Sequence, residues 1–171
     1  MEFGDSLKGF TLFANGTDFG GTITKGKIPV PKRTLKDRKP GGTNLTVRTQ
    51  HGWELDAIEM TLTGVTEAVF GLDVTTRLDG QQILLRSAHE DEWEGATNTT
   101  EIEAWGRCEE SDVFGELSAD EDTEGKLVFV PARYKLSYAG QERWFYDVRT
   151  GEVRKNGTDL TEAYRSALGR A

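Results

Sequence analysis

Side chains that commonly perform catalysis or bind metals are few and scattered in this sequence of 171 residues. The two histidines, His51 and His89, lack further ligand residues at the helical or strand spacing that a metal site uses. The acidic run His-Glu-Asp-Glu-Trp-Glu over 89–94 could hold a calcium ion or an acid–base pair, but it is more typical of an exposed loop. Local motifs for an activated nucleophile or a phosphate-binding loop are absent from the sequence. We therefore predict no enzymatic activity, no metal site and no cofactor.

Charge, in contrast, is strongly segregated along the chain, whose net charge is −8. Residues 25–39 contain seven basic side chains and one acidic side chain, a local charge of +6. Residues 89–124 contain fourteen acidic side chains and one basic side chain, a local charge of −13. The basic segment could bind nucleic acid, but it has no aromatic side chain on which a base could stack, and the rest of the chain repels phosphate. Both segments could also be ordinary solvated surface.

A third interpretation is that the two charged segments bind each other in different copies of the chain. Complementary surfaces on one chain favour head-to-tail association, which closes into rings or continues as filaments. The sequence leaves this interpretation open beside that of solvated surface. The candidate contact residues are Lys32, Arg33, Lys36, Arg38 and Lys39 in a basic arm, and Glu109, Glu110, Asp112, Glu116, Asp120, Glu121 and Asp122 in an acidic belt.

Alternation of apolar and polar residues with a period of two predicts a protein that is mainly antiparallel β-sheet. In 126–138, for example, the alternation puts Val130 and Tyr134 on one apolar face. The predicted strands cover 43–50, 54–64, 101–108, 126–138 and 141–150, with a hairpin turn at 138–141.

Helix is confined to two predicted segments. A short helix fits 64–72, and a C-terminal helix fits 157–169 with Thr158 or Asp159 as its cap. The apolar stripe of the C-terminal helix is expected to pack on a sheet. Residues 1–171 are predicted to form one domain, an antiparallel β-sandwich or barrel with these two helices. The sequence has no apolar run near 18 residues, so no membrane span is predicted, and its start does not resemble a secretion signal.

Seven blocks of the sequence, taken in order, carry a family resemblance. They are FTLFANGTDFGG (10–21), IPVPK (28–32), LKDRKPGG (35–42), ELDAIEMTLTG (54–64), AWGRCEESDVFGELSADEDTEGK (104–126), RYKLSYAGQERWFYDV (133–148) and EVRKNGTDLTEAYRSALG (152–169). Together they resemble the phage major tail tube protein family, which contractile-tailed phages and R-type pyocins share. The sequence departs from the family pattern at Pro40, which interrupts an Arg-x-Gly-Gly ending, and at Arg133, which replaces the first of two tyrosines. Residues 72–100 match little.

The resemblance implies a structural protein of the virion tail. In that family six subunits close into a ring, and each subunit gives strands to a continuous inter-subunit β-barrel. The rings stack head to tail into a tube inside the tail sheath protein. A baseplate templates the first ring, a tape-measure protein fills the lumen during assembly, and double-stranded DNA later passes through without specific binding. In pyocins, ions flow instead. Assembly is thus expected in the cytoplasm of a bacterial host.

The resemblance also implies roles for particular residues. A hairpin arm within about 28–62 would reach the adjoining ring, where its basic side chains would meet the acidic belt. The threonine-rich faces of 43–50 and 54–63 would line the channel, and a negative channel wall would repel DNA phosphate. Arg48 lies on the same proposed face and reduces that negative charge. The lumen-facing candidates are Arg48, Glu59, Thr61, Glu101 and Glu103.

An alternative from a different class is a monomeric β-sandwich that binds a carbohydrate or another small ligand. It predicts a concave aromatic site built from Trp93, Trp105 or Trp144, although tryptophans more often pack in cores and interfaces. The two hypotheses differ in solution behaviour, since one predicts a monomer and the other predicts rings or hollow tubes.

Overall fold

The computed structural model describes residues 4–72 and 74–170, and these residues are mainly antiparallel β-sheet. The predicted mainly-β fold with little helix is therefore confirmed. The described elements are β1 (Ser6–Ala14), β2 (Thr17–Asp18), β3 (Ile23–Lys27), β4 (Lys32–Arg38), β5 (Val47–Glu54), β6 (Ile58–Thr63), a 3-10 helix (Glu67–Gly71), β7 (Gln81–Glu90), β8 (Thr97–Asp112), β9 (Glu124–Tyr138), β10 (Gln141–Asp147), β11 (Glu152–Lys155), β12 (Thr158–Asp159) and the helix α1 (Glu162–Ala167).

Ten of the strands form one sheet that forks at β9. The main path runs β12-β11-β10-β9-β8-β7-β1-β2, and β6 and β3 extend the sheet from the first half of β9. β6 pairs with β9 as far as Phe129, and β10 pairs with β9 from Arg133 onward. Pro131 lies between these two stretches, where a residue without an N–H group costs the sheet no hydrogen bond. The fork therefore divides the sheet into two halves. The lower half consists of β3, β6 and the paired ends of β9 and β8, and the upper half consists of the remaining strands with the other parts of β8 and β9.

A β-bulge at the fork changes which side chains of β9 face the core. Gly106 pairs with Pro131 and Trp105 pairs with Arg133, so Ala132 is the extra residue. Because of this bulge, the strict alternation predicted for 126–138 is wrong. Val130 is 39% exposed although it was predicted to share a buried face with Tyr134. The core side chains before the bulge are instead Leu127 and Phe129, and Tyr134 follows after it.

The core lies against one face of the sheet, called the inner face here. The alternation predicted for 54–64 and 101–108 is confirmed, because Ile58, Met60 and Leu62 are buried on β6, and Ile102 and Ala104 on β8. The short helix predicted for 64–72 is the 3-10 helix, which contributes a buried Val69 to the core.

A hairpin arm extends from the lower half of the sheet. β3 and β6 pair with each other, and after a break that contains Pro29 and Pro31 the chain continues as β4 and β5, which form a separate two-stranded sheet. The strand predicted over 43–50 begins only at Val47 and continues to Glu54, because residues 39–46 form the arm tip. The Tyr134 hydroxyl donates a hydrogen bond to the Pro29 carbonyl (2.9 Å), which fixes the arm base to the core.

The C-terminal helix is shorter than predicted and its apolar stripe is not buried. Residues 158–159, predicted to cap the helix, pair with β11 instead, so α1 begins only at Glu162. Tyr164 is 70% exposed and Leu168 is 57% exposed, so the expected packing of this stripe on a sheet is wrong. The side chain that turns inward is Arg165, which forms ion pairs with Asp159 and Glu152.

Within the described ranges, the structure has no helix that is both long and apolar enough to cross a membrane.

Candidate subunit-contact site

The basic arm presents its charges on two different faces. By strand alternation Lys32, Lys36 and Arg38 share one face of β4, whereas Arg33 points to the other. The Arg33 guanidinium lies 5.2 Å from the centre of the Trp53 ring, and Trp53 packs edge-on against Trp144 of β10 (centroids 6.1 Å apart). Arg33 is therefore part of the attachment between the arm and the upper half of the sheet rather than part of an outward basic surface.

Lys32 is also occupied at the base of the arm. Its Nζ lies 2.9 Å from an Asp56 oxygen and 3.5 Å from a Glu54 oxygen. The hydrogen bond to Asp56 raises the pKa of Lys32, which shows that its charged form is stabilised by partners in its own subunit.

The distal part of the arm carries the remaining basic side chains. Arg48, a lumen-facing candidate, pairs with Asp37 at 3.2 Å on the arm itself. Lys36, Arg38 and Lys39 are exposed, and none forms an ion pair with any residue that the structure describes. These three side chains therefore make up an unneutralised basic tip.

The acidic belt is divided between a strand and a loop. Glu109, Glu110 and Asp112 belong to the end of β8, whereas Glu116 and residues 120–122 belong to the loop 113–123, which leads into β9. The Asp112 carboxylate accepts hydrogen bonds from the backbone N–H groups of Phe114 (3.2 Å) and Gly115 (2.9 Å). Asp112 thus shapes the start of the loop in addition to contributing charge.

Two strand edges in the lower half of the sheet lack a neighbouring strand among the described residues. β7 pairs with β8 only as far as Gly106, which leaves residues 107–112 paired on the β9 side alone. β3 pairs with β6 alone. The β3 edge carries Lys25 and Lys27, and the β8 edge carries acidic-belt residues, so two open edges of one four-stranded segment have opposite charge.

The lumen-facing candidates do not lie together. Glu59 and Thr61 share the outer face of the lower half, opposite the inner face, where Glu59 pairs with Lys27 and Thr61 pairs with Lys25. Glu101 pairs with Arg86 of β7 at 2.8 Å in the upper half of the sheet. Glu103 is also in the upper half, where it lies opposite Lys135, and Arg48 is on the arm.

Lysines on the outer face of the lower half were not among the sequence-based candidates. Lys25, Lys27 and Lys126 line one shallow hollow together with Glu59 and Asp112. This face is therefore of mixed charge and not simply acidic. Only the strand register shows these partners, because the pairs are separated by more than thirty residues along the sequence.

The three tryptophans of the ligand-binding alternative do not line one site. Trp105 pairs with Arg133, whose guanidinium stacks 4.8 Å from the Trp105 ring centre, on the outer face. Trp144 pairs with Leu136 on the inner face. Trp93 lies in the loop between β7 and β8. The structure therefore gives no support to a shared concave aromatic site. Likewise, residues 4–72 and 74–170 contain no group of His, Cys, Asp and Glu side chains placed to hold a metal ion.

Comparison with known proteins places this architecture among phage tail components. The family model described as phage tail tube protein FII matches residues 5–169. The tail tube protein of Escherichia phage P2 is 28% identical over 172 residues, and the match covers 99% of each chain. A chain in the six-fold symmetrised cryo-EM structure of the anti-feeding prophage baseplate superposes with a TM-score of 0.51 at 13% identity, over 80% of this chain and 97% of that one. The structural match shows a shared fold.

Proposed function

Because the chain belongs to the phage tail tube protein FII family, we propose that it closes into hexameric rings that stack head to tail as the inner tube of a contractile tail. It is a structural component of the virion tail and not an enzyme. The mechanism of such a protein is self-assembly, so the surfaces that matter are those that one copy offers to the next.

The observation that carries this proposal is the pair of oppositely charged open edges in the lower half of the sheet. The chain direction alternates through β3, β6, β9 and β8, since each pair is antiparallel. A copy related by rotation therefore brings its β8 edge antiparallel to β3 of its neighbour. The edges also match in length, with five residues in β3 and six in 107–112. Repeated around a ring, this pairing produces an inter-subunit barrel with no open edge.

Ring closure of this kind also places charges of opposite sign together. Lys25 and Lys27 on β3 would meet Glu110 and its neighbours on β8 of the next copy, on the same face of the continuous sheet. The outer face that carries Glu59 and Thr61 would then line the bore. Lys25 already lies 3.8 Å from Glu124 of its own subunit, and the adjoining subunit would add carboxylates beside Lys27, which would leave a polar wall to which DNA phosphates do not adhere.

The basic tip of the arm is suited to contact between rings. The loop 113–123 lies at the end of the sheet where β9 begins, whereas the arm leaves beyond Lys27 at the other end of the lower half. In a head-to-tail stack the basic tip of one ring therefore approaches the acidic loop of the next ring. The sheath, tape-measure and baseplate proteins and the passage of double-stranded DNA complete the proposed assembly.

Charge exchange across the two edges tests ring closure. Lys25→Glu with Lys27→Glu should prevent ring formation, and Glu109→Lys with Glu110→Lys should do the same, because each change puts like charges opposite each other. The four changes combined in one chain should restore rings. Glu67→Lys with Glu94→Lys provides a matched control on exposed sites outside both edges. Sizing chromatography and negative-stain electron microscopy report assembly, and circular dichroism reports the fold. Normal rings from either charge-reversed edge would contradict the proposal.

A second set of variants isolates the arm. Lys36→Glu, Arg38→Glu and Lys39→Glu together should leave rings intact and prevent their stacking into tubes. Lys32 and Arg33 are kept because they attach the arm to its own subunit. Tubes of normal length from the triple variant would show that the basic tip is only solvated surface.

A further inference from the structure

An arginine-rimmed cleft lies on the outer face beside the fork of the sheet. Two connected hollows of about 510 and 580 Å³ share Leu78, Ala132 and Val148. Leu78 is 64% exposed and Val148 is 58% exposed, and Val130 extends the same apolar floor. Apolar side chains so exposed in a concave site are typical of a surface that a partner covers.

Four arginines surround this apolar floor. Among the described residues, the Arg107 guanidinium donates a hydrogen bond only to the Thr76 backbone carbonyl, at 3.4 Å. Arg133 stacks on Trp105 and lies 4.0 Å from Asp147, whose carboxylate also accepts the backbone N–H of Arg149 at 2.8 Å. A guanidinium has five N–H donors, so these contacts leave donors for another ligand. Arg77 and Arg149 complete the rim. Arg77 lies 3.3 Å from Asp79, and the acidic side chains of Asp79, Asp147 and Glu109 also line the cleft.

The loop 113–123 has the complementary chemistry. Leu117 is 76% exposed and Phe114 is 51% exposed, and the loop carries Glu116 and three consecutive acidic residues at 120–122 with no basic residue. It therefore combines apolar anchors with the carboxylates that arginine pairs with best. The acidic stretch 90–94, in contrast, pairs with Lys8 of its own subunit through Glu90 and Glu92.

We propose that the arginine-rimmed cleft of one subunit receives the loop 113–123 of a second copy, with Leu117 on the apolar floor and the acidic residues on the arginines. The occupant comes from another copy because Pro131 in the cleft lies seven residues along β9 from Glu124, about 23 Å at the rise of a strand. The inference rests on the proposed self-assembly. It adds a contact between successive rings in which the cleft shares residues 107–109 with the β8 edge, and the loop is the same one that the basic tip of the arm approaches.

Disulfide trapping tests the contact directly. Leu117→Cys and Val148→Cys are placed in two separate chains, each with Cys108→Ser, because a serine hydroxyl would retain a donor for the Leu72 carbonyl that Cys108 now contacts. Tubes assembled from the mixed chains are oxidised with copper–phenanthroline under air. The expected product is a heterotypic dimer on a non-reducing gel. Leu117→Cys mixed with Leu7→Cys provides the control, since Leu7 is 57% exposed but lies outside the cleft.

Charge exchange provides a second readout that needs no new thiol. Arg77→Glu with Arg149→Glu should shorten tubes or stop growth at single rings. Adding Glu121→Arg with Asp122→Arg to the same chain should restore growth only in part, because the basic arm tip also approaches this loop. The inference would be overturned if tubes form normally but give no more dimer than the Leu7 control. It would also be overturned if the arginine changes leave tube length unchanged, and either result would leave the proposed function intact. A wild-type chain that forms neither rings nor tubes would overturn both.

Discussion

Replacing Gly106 with alanine should destabilise the fold through a backbone collision at the bulge. A Cβ atom at this position would lie 2.1 Å from the Val130 carbonyl oxygen and 2.9 Å from both the Val130 carbonyl carbon and the Pro131 Cα. An ordinary carbon–oxygen contact is about 3.3 Å or longer, so the two strands would have to separate by about 1 Å. The colliding atoms belong to the backbone and cannot rotate away.

The expected cost follows from the overpacking of a well-ordered interior, which is typically about 1–3 kcal/mol. Because the strained atoms lie in the central pair of the sheet, we expect a value near the upper end, about 3 kcal/mol. A domain of this size loses about 2–4 °C in Tm for each kcal/mol, which gives a decrease of about 6–12 °C.

Thermal and urea unfolding followed by circular dichroism measure this effect. The matched control is Gly52→Ala in β5, where a Cβ would have no neighbour within 4 Å. That change should be neutral or slightly stabilising, because alanine restricts the unfolded chain more than glycine does. If the free energy of unfolding of Gly106→Ala lies within about 0.5 kcal/mol of the wild-type value, as is typical of surface substitutions, the assignment of Gly106 as a close-approach position is refuted.

Two further predictions concern hydrogen bonds of tyrosine hydroxyls. Tyr134→Phe removes the donor to the Pro29 carbonyl and should cost about 1 kcal/mol, because that carbonyl loses its partner at a partly buried site. Tyr164→Phe, on an exposed side chain, should have no effect in the same thermal melts. The Tyr138 hydroxyl, and after it the Asn98 amide, lower the pKa of Asp5. A lowered carboxyl pKa gives stability that is fully present above the unfolded value of 3.8 and is lost as the pH falls through the lower folded value. The protection factors for amide hydrogen exchange at the start of β1, which are corrected for the pH dependence of the intrinsic rate, should therefore fall below pH 3.8 in the wild type. Asp5→Asn should show low protection factors already at pH 7, and equal protection in the two proteins at pH 7 would contradict the role given to Asp5.

Some elements could be predicted from the sequence because one local pattern specified them. β6 and the middle of β8 alternate strictly, and the turn at 138–141 has Ala139 and Gly140 at φ values of 50° and 76°, as a tight hairpin requires. β7 was not predicted, because Leu84 and Leu85 put apolar side chains on both faces and obscure the period of two. Its position in the sheet comes from pairing with β1 and β8, which no local pattern encodes.

The end of the chain shows how two local signals compete. Asn156-Gly157 is a strong hairpin signal, and both residues have positive φ values, 49° and 81°. The helical pattern that follows outweighed this signal in the sequence-based prediction, which therefore started the helix too early. In the structure the hairpin takes up the chain as far as Asp159, and the helix therefore begins only at Glu162.

The sign of the charge on the candidate contact surfaces could be predicted from the sequence, but the position of those surfaces in the fold could not. The sequence shows that residues 25–39 are basic and that 109–122 are acidic, yet it cannot show which strand edges lack a neighbour. It also cannot show that Arg33 and Lys32 are engaged within their own subunit while Lys36 is not. Those distinctions depend on register and on contacts between segments far apart along the chain.

The fork at β9 has a mechanical consequence for a tube under axial load. β8 and β9 run as one continuous pair through both halves of the sheet, so a pull along them stretches a long row of hydrogen bonds in shear rather than opening them one at a time. The register of this strand pair is interrupted at two bulges, at 105–106 and at 108–110, where we expect the pair to bend most readily. In the proposed tube, a change in bore diameter would therefore twist each subunit at those points, so that the wall and the exterior of the tube would move together.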